Sequence, residues 1–155
     1  MKLYHGTNME FDRPDESKPN KDFGRGFYLS DNYEQAMAMA KTKVEQLETG
    51  IPIVLTYEIP EEVFRALKVL RYEEYSEEWA KFIMLNRNNS GFQQAHDYDL
   101  VIGPIANDKV GLQLWRYENH AIDLPTLVRN LHYMKGVTIQ YFFGTERALQ
   151  QLKRL

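Results

Sequence analysis

The residue types with the clearest potential for chemistry lie in two short segments near the amino terminus. Residues 4–7 read Tyr-His-Gly-Thr at the end of a predicted strand, and residues 22–28 form a glycine-containing loop that leads into a strand. His5 offers ring nitrogens for hydrogen bonds, Gly6 offers backbone groups that no side chain shields, and Tyr28 offers a flat ring for stacking. Alone, such a histidine is more often structural and such a tyrosine more often core. Together they indicate a site for a flat, polar ligand that carries a ribose.

The glycine loop does not match the familiar phosphate-binding motifs. Residues 24–26 read Gly-Arg-Gly, without the Gly-Lys-Ser/Thr of a P-loop, and they precede a strand rather than open a helix. The flanking glycines favour a mobile loop at the mouth of a cleft, and a guanidinium fits a diphosphate well. Arg25 is therefore predicted to meet a ligand phosphate, with a solvated turn arginine as the equal alternative.

The sequence contains no residue pattern typical of a metal-binding site. His96, His120 and His132 show no ligand spacing with one another or with carboxylates. The chain has no cysteine, which excludes disulfides and thiolate ligands and fits a reducing compartment. The Asp-Tyr-Asp run at residues 97–99 is interpreted as a solvated turn at a strand entry rather than as a cation site. We expect no metal site.

Length and charge point to one globular domain without a general affinity for polyanions or membranes. The chain has 155 residues and a net charge of −3, which gives no overall electrostatic attraction to nucleic acid or anionic lipid. No apolar run approaches the roughly 20 residues of a membrane span. Met1 leads directly into a strand pattern, which leaves no room for a signal peptide, so we expect a cytosolic protein.

Hydrophobic periodicity, caps and breakers predict the elements that must position these residues. Strands and helices do not alternate regularly, which favours an α+β fold over a doubly wound parallel sheet. A polar loop with two prolines is expected over residues 8–21. We predict strands at residues 2–5, 26–29, 53–59, 99–102 and 137–143, and helices at about 32–48 (capped by Asp31 or Asn32), 61–67, 76–85, 107–117, 123–132 and from 145 onward, with Lys153 and Arg154 in its later turns.

Several motifs together resemble a bacterial family of domains of unknown function that has the ADP-ribosyltransferase fold. The segment at residues 26–29 is also similar to the corresponding part of poly(ADP-ribose) polymerases and diphtheria-type toxins, whose signature is His, Tyr and Glu on three strands. The resemblance implies a single domain over residues 1–155 with a split β-sheet core, an NAD cleft and flanking helices. It rests on residues 4–7, 21–30, 35–36, 82–87, 97–104, 140 and 145–149.

The resemblance also implies roles for individual residues. His5 would hydrogen-bond a ribose hydroxyl of NAD, and Gly6 would hold the nicotinamide carboxamide through its backbone. Tyr28 would stack on the nicotinamide ring. The third position of the signature falls at Gln140, where a family glutamate would steady the ribose as nicotinamide leaves. The remaining implied NAD contacts are Thr7, Gly26 and Arg25.

Two departures from the family pattern limit the expected chemistry. Gln140 accepts and donates hydrogen bonds but carries no charge and cannot act as a base, so single transfer or no transfer is expected rather than polymer elongation. Met39 stands where the related pattern tends to place a tryptophan, and we expect it in the core. Glu58 and Glu146 are the candidate substitute carboxylates, although Glu146 is better placed to support its helix.

Three functions remain open at the level of sequence. The first is a mono-ADP-ribosyltransferase, a toxin or defence effector with a neutralising partner by analogy, that modifies a macromolecule, with protein favoured over nucleic acid. The second is a binding module that holds NAD or an ADP-ribosylated ligand without turnover. The third is transfer to a nucleic acid 2′-phosphate or base, which a patch of Arg25, Lys41 and Lys43 would assist. Target choice is expected to depend on residues 8–21 and 86–98.

Overall fold

The chain folds into two β-sheets with helices on their outer faces. Within residues 1–14, 19–134 and 136–155, which the computed structural model describes, it forms seven strands and six helices. Residues 15–18 of the predicted polar loop lie outside the described residues. The strands are β1 Lys2–Thr7, β2 Phe27–Leu29, β3 Ile53–Glu58, β4 Val69–Arg71, β5 Leu100–Ile105, β6 Thr138–Phe143 and β7 Lys153–Arg154, and the helices are α1 Tyr33–Leu47, α2 Val63–Ala66, α3 Glu77–Arg87, α4 Asp108–Glu118, α5 Leu124–His132 and α6 Glu146–Leu149.

The two sheets are small and mostly antiparallel. One has the strand order β1-β3-β7, and the other has the order β2-β6-β5-β4, in which only the β4–β5 pair is parallel. The mixed sheets with helices packed outside them confirm the predicted α+β class. None of the helices in the described ranges is long and apolar enough to cross a membrane.

An isolated backbone bridge links β1 to the residue that follows β2, and beyond this bridge the two strands are not paired. Tyr4 in β1 and Ser30 just after β2 exchange two backbone hydrogen bonds of 2.7 and 2.8 Å. In an antiparallel pair, the N–H and C=O groups of residues two apart point to the same side. The backbone polar groups of Gly6 therefore point away from β3, towards Tyr28, across the gap that opens beyond the bridge.

Each face of the second sheet contributes to a different core. Successive strand residues point to opposite faces, so Val101 and Phe142 pack towards the helices while Leu100, Ile102 and Phe143 pack between the sheets. The helical side is filled by Trp79, Ile83, Leu114 and Leu127, and the side between the sheets by Leu3, Leu29 and Leu55. Strands β5 and β6 therefore contribute buried residues on both faces, which explains why both segments are mostly apolar.

Helix α1 packs closely on β1 and carries side chains to the split. Its N-cap is Asn32, one of the two predicted residues, whose Oδ1 accepts from the Gln35 N–H at 3.1 Å. Ala36 and Ala40 are buried against β1. A Cβ atom on Gly6 would lie 1.9 Å from the Ala36 carbonyl oxygen, so only glycine permits this contact.

The predicted carboxyl-terminal helix is wrong beyond its first turn. Helix α6 ends at Leu149, and Lys153–Arg154 forms β7, which pairs with Tyr57 and Glu58 of β3. The Arg154 guanidinium donates to the Phe11 carbonyl oxygen at 3.1 Å and lies 5.7 Å from the Tyr57 ring centroid. These contacts with residues distant in sequence hold the segment extended, and no local sequence pattern predicts them.

Strand β5 runs further than predicted, because the proline at position 104 does not end it. Pro104 lacks an N–H donor, and β4 has already ended at Arg71, which pairs with Ile102. The Pro104 carbonyl oxygen accepts from Trp79 Nε1 at 2.7 Å instead. Strand β4 itself is a three-residue element that the sequence prediction missed.

Candidate functional site

A cleft of about 860 Å³ lies where β1 and β2 separate. It is lined by residues from the end of β1, the start of β2 and helix α1, and β6 contributes Gln140. His5, Gly6, Tyr28 and Gln140 come from three strands, β1, β2 and β6, and all line the cleft. The described residues that line the cleft are 4–8, 11, 20–22, 26–28, 30, 36, 39, 43, 47, 87, 105, 106 and 140, so the predicted contacts Thr7 and Gly26 are included and Arg25 is not.

The orientation of the His5 ring follows from the carbonyl that it contacts. Its Nδ1 lies 2.7 Å from the Tyr28 carbonyl oxygen, and because a carbonyl only accepts, Nδ1 carries the proton. Nε2 is then an acceptor and lies 3.5 Å from Lys43 Nζ. Burial, with a smaller contribution from the Lys43 charge, lowers the pKa of His5 from 6.5 to about 4. The ring is neutral at pH 7 and presents Nε2 as a hydrogen-bond acceptor.

Lys43 occupies the same corner of the cleft. Its ammonium group donates to the Gly6 carbonyl oxygen at 2.8 Å as well as facing His5. Burial, and secondarily the charge of Lys21, lower the pKa of Lys43. Neither Lys21 nor Lys43 forms an ion pair with a residue that the structure describes. An ammonium that no described carboxylate pairs with therefore lies beside His5 and Gly6, the two residues that were predicted to bind NAD.

Tyr28 is fixed by the glycine loop that precedes it. Its hydroxyl donates to the Gly24 carbonyl oxygen at 2.7 Å and accepts from the Phe23 N–H at 3.1 Å. The ring stacks on Phe23 at an interplanar angle of 15°, and burial raises the pKa of the hydroxyl. Lys21 Nζ lies 5.8 Å from the Tyr28 ring centroid, within reach of the aromatic face.

Steric constraints explain why glycine occupies positions 24 and 26 of this loop. Gly24 has a φ of +102°, which disfavours a side chain, and it lets the chain turn back to meet the Tyr28 hydroxyl. A Cβ atom on Gly26 would lie 2.4 Å from the Phe142 ring. The loop is shaped by packing around Tyr28 rather than by a need for open backbone.

Arg25 is not among the described residues that line the cleft, and its predicted contact with a ligand phosphate stays a prediction. The Gln94 side chain binds both the N–H and the carbonyl oxygen of Arg25. The guanidinium is directed to Phe92, with 5.0 Å between the guanidinium carbon and the ring centroid. His96 fixes the same loop by bonding to the Phe23 carbonyl oxygen at 2.7 Å. Contacts with residues 92–96, which sequence spacing cannot reveal, turn Arg25 away.

Gln140 forms part of the cleft floor. It lies in β6 between β2 and β5 and is 1% exposed, and its Nε2 is 3.8 Å from the Met39 sulfur. Met39 was expected in the core, but it is 37% exposed and lines the cleft. Met39 is therefore a cleft residue and not a core residue.

The candidate substitute carboxylates lie elsewhere. Glu58 is exposed on β3, and Glu146 is exposed and 3.7 Å from Arg13. Asp22 is the one carboxylate among the described residues that line the cleft. Its oxygens already accept hydrogen bonds from Arg87 Nε at 2.7 Å and from the Ala106 N–H at 2.8 Å. The described residues contain no group of three or more His, Asp or Glu side chains able to hold a metal ion.

Sequence reasoning named Lys43 only in a possible nucleic-acid patch and not as a residue of the cleft, although a signal for the cleft position was present. Ala36, Met39, Ala40 and Lys43 recur at the three- and four-residue spacing of one helix face. Two of them are buried against β1, so the same face carries Lys43 to the end of β1. The role of Asp22 in bridging α3 and the loop after β5 had no comparable signal.

The structure is an α+β fold with a cleft at the split between its two sheets. The chain belongs to the family described as "protein of unknown function (DUF3990)", whose model matches residues 1–154. No curated protein and no solved structure matches the chain.

Proposed function

We propose that this protein is an NAD-dependent mono-ADP-ribosyltransferase whose site is the cleft at the sheet split. The observation that carries the proposal is the convergence of His5, Gly6, Tyr28 and Gln140, from three strands, on one cleft. These are the residues that the resemblance to ADP-ribosyltransferases assigns to NAD. The cleft volume of about 860 Å³ is within the range of small-molecule sites.

The chemistry of the lining groups matches the parts of NAD. The neutral His5 ring presents Nε2 as an acceptor for a ribose hydroxyl, and the Gly6 carbonyl is an acceptor for a carboxamide N–H. Tyr28 supplies an aromatic ring whose hydroxyl is already fixed, so little side-chain freedom is lost on stacking. Three cationic side chains among the described cleft residues, Lys21, Lys43 and Arg87, suit a diphosphate.

The proposed reaction breaks the bond between the nicotinamide nitrogen and ribose C1′. Nicotinamide leaves with the bonding electron pair, a macromolecular nucleophile forms the new bond to C1′, and its proton passes to solvent. Gln140 would orient the ribose through its amide while positive charge develops on the ring. Because Asp22, the one carboxylate among the described cleft residues, is already paired, single transfer to a reactive protein side chain is favoured over polymer growth. A cytosolic toxin or defence role, with a neutralising partner, belongs to the same proposal.

A second candidate function is a binding module that holds NAD or ADP-ribose without turnover. The specific observation in its favour is the lack of a free carboxylate among the described cleft residues. Gln140 adds no negative charge to a developing cation, and Asp22 is committed to Arg87 and Ala106. Such a site would bind the ground state without stabilising the transition state, which gives affinity without rate.

Incubation with NAD labelled in its adenylate half, in cell lysate, separates the two candidates. Label on protein, together with released nicotinamide, is the result expected for the transferase. NAD that binds but releases no nicotinamide supports the module. His5→Ala should abolish labelling, whereas His132→Ala, an exposed histidine on α5, should not. Absence of NAD binding by the wild-type protein would contradict the transferase, and absence of both NAD and ADP-ribose binding would contradict the module as well.

A further inference from the structure

The cleft contains two ammonium groups that no described carboxylate neutralises. Lys43 projects from α1 and Lys21 from the loop before β2, and both charges contribute to lowering the pKa of His5, which lies between these elements. The cationic Arg87, by contrast, is paired with Asp22. The chain as a whole carries a net charge of −3, so this concentration of positive charge is a local feature of the cleft.

Keeping Lys43 in this position is unfavourable without a counter-charge. The side chain is partly buried, and burial is the first cause of its lowered pKa. A buried ammonium requires hydrogen bonds and a compensating charge, and the Gly6 carbonyl supplies only a dipole. The ammonium has three donors, of which Gly6 and His5 Nε2 are within reach of two. An anion at the site would supply what is missing.

The present contacts of Lys43 also conflict with a bound nicotinamide nucleotide. Its ammonium occupies the Gly6 carbonyl and faces His5 Nε2, the acceptors proposed for the carboxamide and the ribose hydroxyl. The oxidised nicotinamide ring is itself cationic, so an unneutralised ammonium beside it is repulsive. Lys21 lies 5.8 Å from the Tyr28 ring on which the nicotinamide would stack. Both lysines must move or be neutralised when such a ligand enters.

We propose that Lys43 and Lys21 together form an anion subsite that takes a phosphate group of the ligand, and that Lys43 leaves the Gly6 carbonyl when the phosphate arrives. The movement frees the Gly6 oxygen and His5 Nε2 to accept from the ligand. Lys43 is thus a positioning residue that couples recognition of the phosphate to opening of the carboxamide site. The identity of the ligand as a nicotinamide dinucleotide rests on the proposed function, whereas the anion subsite rests on the two lysines alone.

The flexible four-carbon stem of lysine suits this exchange. Rotation about its side-chain bonds moves the ammonium several ångströms without displacing α1, whose Ala36 and Ala40 are buried against β1. A phosphate oxygen replaces a carbonyl oxygen as acceptor, and the new bond is charge-assisted at both partners. The exchange therefore strengthens the lysine contact at the same time as it opens the cleft.

Calorimetric titrations with four probes test the proposal. The probes are NAD, ADP-ribose, inorganic pyrophosphate and nicotinamide riboside, which lacks phosphate. Lys43→Met should weaken binding of the three phosphate-bearing probes by about ten- to a hundred-fold, as expected for a lost charge-assisted hydrogen bond. The same variant should leave nicotinamide riboside unweakened, because the competing ammonium is gone. Lys21→Met should weaken NAD by a smaller factor, since Lys21 is exposed.

Lys41→Met is the matched control, since Lys41 lies on the same helix, is exposed and is outside the described cleft residues. It removes the same charge and should change NAD affinity less than about twofold. Lys43→Gln, which keeps a donor for the Gly6 carbonyl, is the second variant if Lys43→Met fails to fold. It should reproduce the selective loss for phosphate-bearing probes.

The outcomes separate the subsite from the proposed function. NAD bound equally tightly by wild type, Lys43→Met and Lys43→Gln would overturn the subsite and leave the proposed function standing. Binding of ADP-ribose and pyrophosphate that depends on Lys43, without any binding of NAD, would support the subsite and overturn the proposed function. Equal weakening of nicotinamide riboside and NAD would also overturn the subsite, because the loss would then not come from phosphate.

Discussion

Two histidines flank the glycine loop and make the same kind of contact at opposite ends of it. His5 donates to the Tyr28 carbonyl and His96 to the Phe23 carbonyl, each across 2.7 Å. In both cases burial is the first cause of a lowered pKa, so both rings are neutral at pH 7. Judged by burial and by this bond alone, the two residues would have the same role.

The second nitrogen of each ring distinguishes them. His96 Nδ1 accepts from the Tyr98 N–H at 3.1 Å, so both of its nitrogens are bound to fixed backbone groups. His5 Nε2 faces only the flexible Lys43 side chain at 3.5 Å, inside the cleft. A histidine whose second nitrogen has a movable partner is available to a ligand, whereas one bound to backbone on both sides is structural. This difference separates the proposed binding region around His5 from its supporting region around His96.

The largest expected effect is a loss of stability when His96, in the supporting region, is replaced. His96→Ala leaves the Phe23 carbonyl and the Tyr98 N–H without partners and removes a ring that packs on Phe82 and Phe142, so we expect a loss of about 3 kcal/mol in the free energy of unfolding. Urea denaturation followed by circular dichroism measures it, with the exposed His132→Ala as control. A loss below about 1 kcal/mol would remove the distinction between the two histidines.

The pH dependence of stability tests the His5 side. The pKa of His5 is about 4 in the folded protein and 6.5 in the unfolded chain, so the unfolded chain binds more protons between these values. Stability is full above about pH 6.5 and falls as pH falls towards 4, by up to about 3 kcal/mol from this residue. Unfolding free energies at pH 7 and pH 4.5 should therefore differ more in the wild type than in His5→Gln, and parallel losses would contradict the assignment.

Gln140 sharpens the comparison, because it lies on the cleft floor beside the His5 region. Gln140→Ala should reduce nicotinamide release by roughly 10²-fold or more while leaving NAD binding largely intact, as for loss of one hydrogen-bonding group that acts in the transition state. Gln140→Glu should keep or raise the rate, because a carboxylate stabilises the developing positive charge. Nicotinamide release and calorimetry are measured on the same preparations. Full activity in Gln140→Ala would place the third catalytic position at another residue.

The smallest expected effect belongs to Arg25, on the supporting side of the loop. Its backbone is held by Gln94 and its guanidinium lies on Phe92, so Arg25→Ala should bind NAD within about twofold of wild type at low salt. Titration at two salt concentrations is sufficient. A clear, salt-dependent loss of affinity would indicate that Arg25 contacts the ligand, and it would weaken the division between the two regions.

The elements with strong local patterns were predictable from sequence, and those held by distant contacts were not. Strands β1, β3 and β6 have β-branched and aromatic content, and α1 has its cap and small apolar face, so each was placed near its observed bounds. Strands β4 and β7 have three and two residues and depend on their partner strands. Local propensity cannot identify elements so short, since their hydrogen bonds come from elsewhere in the chain.

The candidate site shows the same division. His5, Gly6, Tyr28 and Gln140 belong to separate strands that carry recognisable motifs, and the structure gathers them at one cleft. The guanidinium of Arg25 is directed to Phe92, and this orientation depends on Gln94, 69 residues away, which the sequence does not reveal. The neutral state of His5 likewise depends on burial, which the spacing of residues does not encode.

Calorimetric titration of NAD into the wild-type protein, His5→Ala and Tyr28→Ala tests the central proposal most directly. The proposal predicts that the wild type binds NAD and that His5→Ala weakens binding by roughly 1–3 kcal/mol, the cost of a lost buried hydrogen bond. Tyr28→Ala should also weaken it, because the stacking ring is removed, while His132→Ala should not. Unchanged NAD affinity in both cleft variants would contradict NAD binding at this cleft.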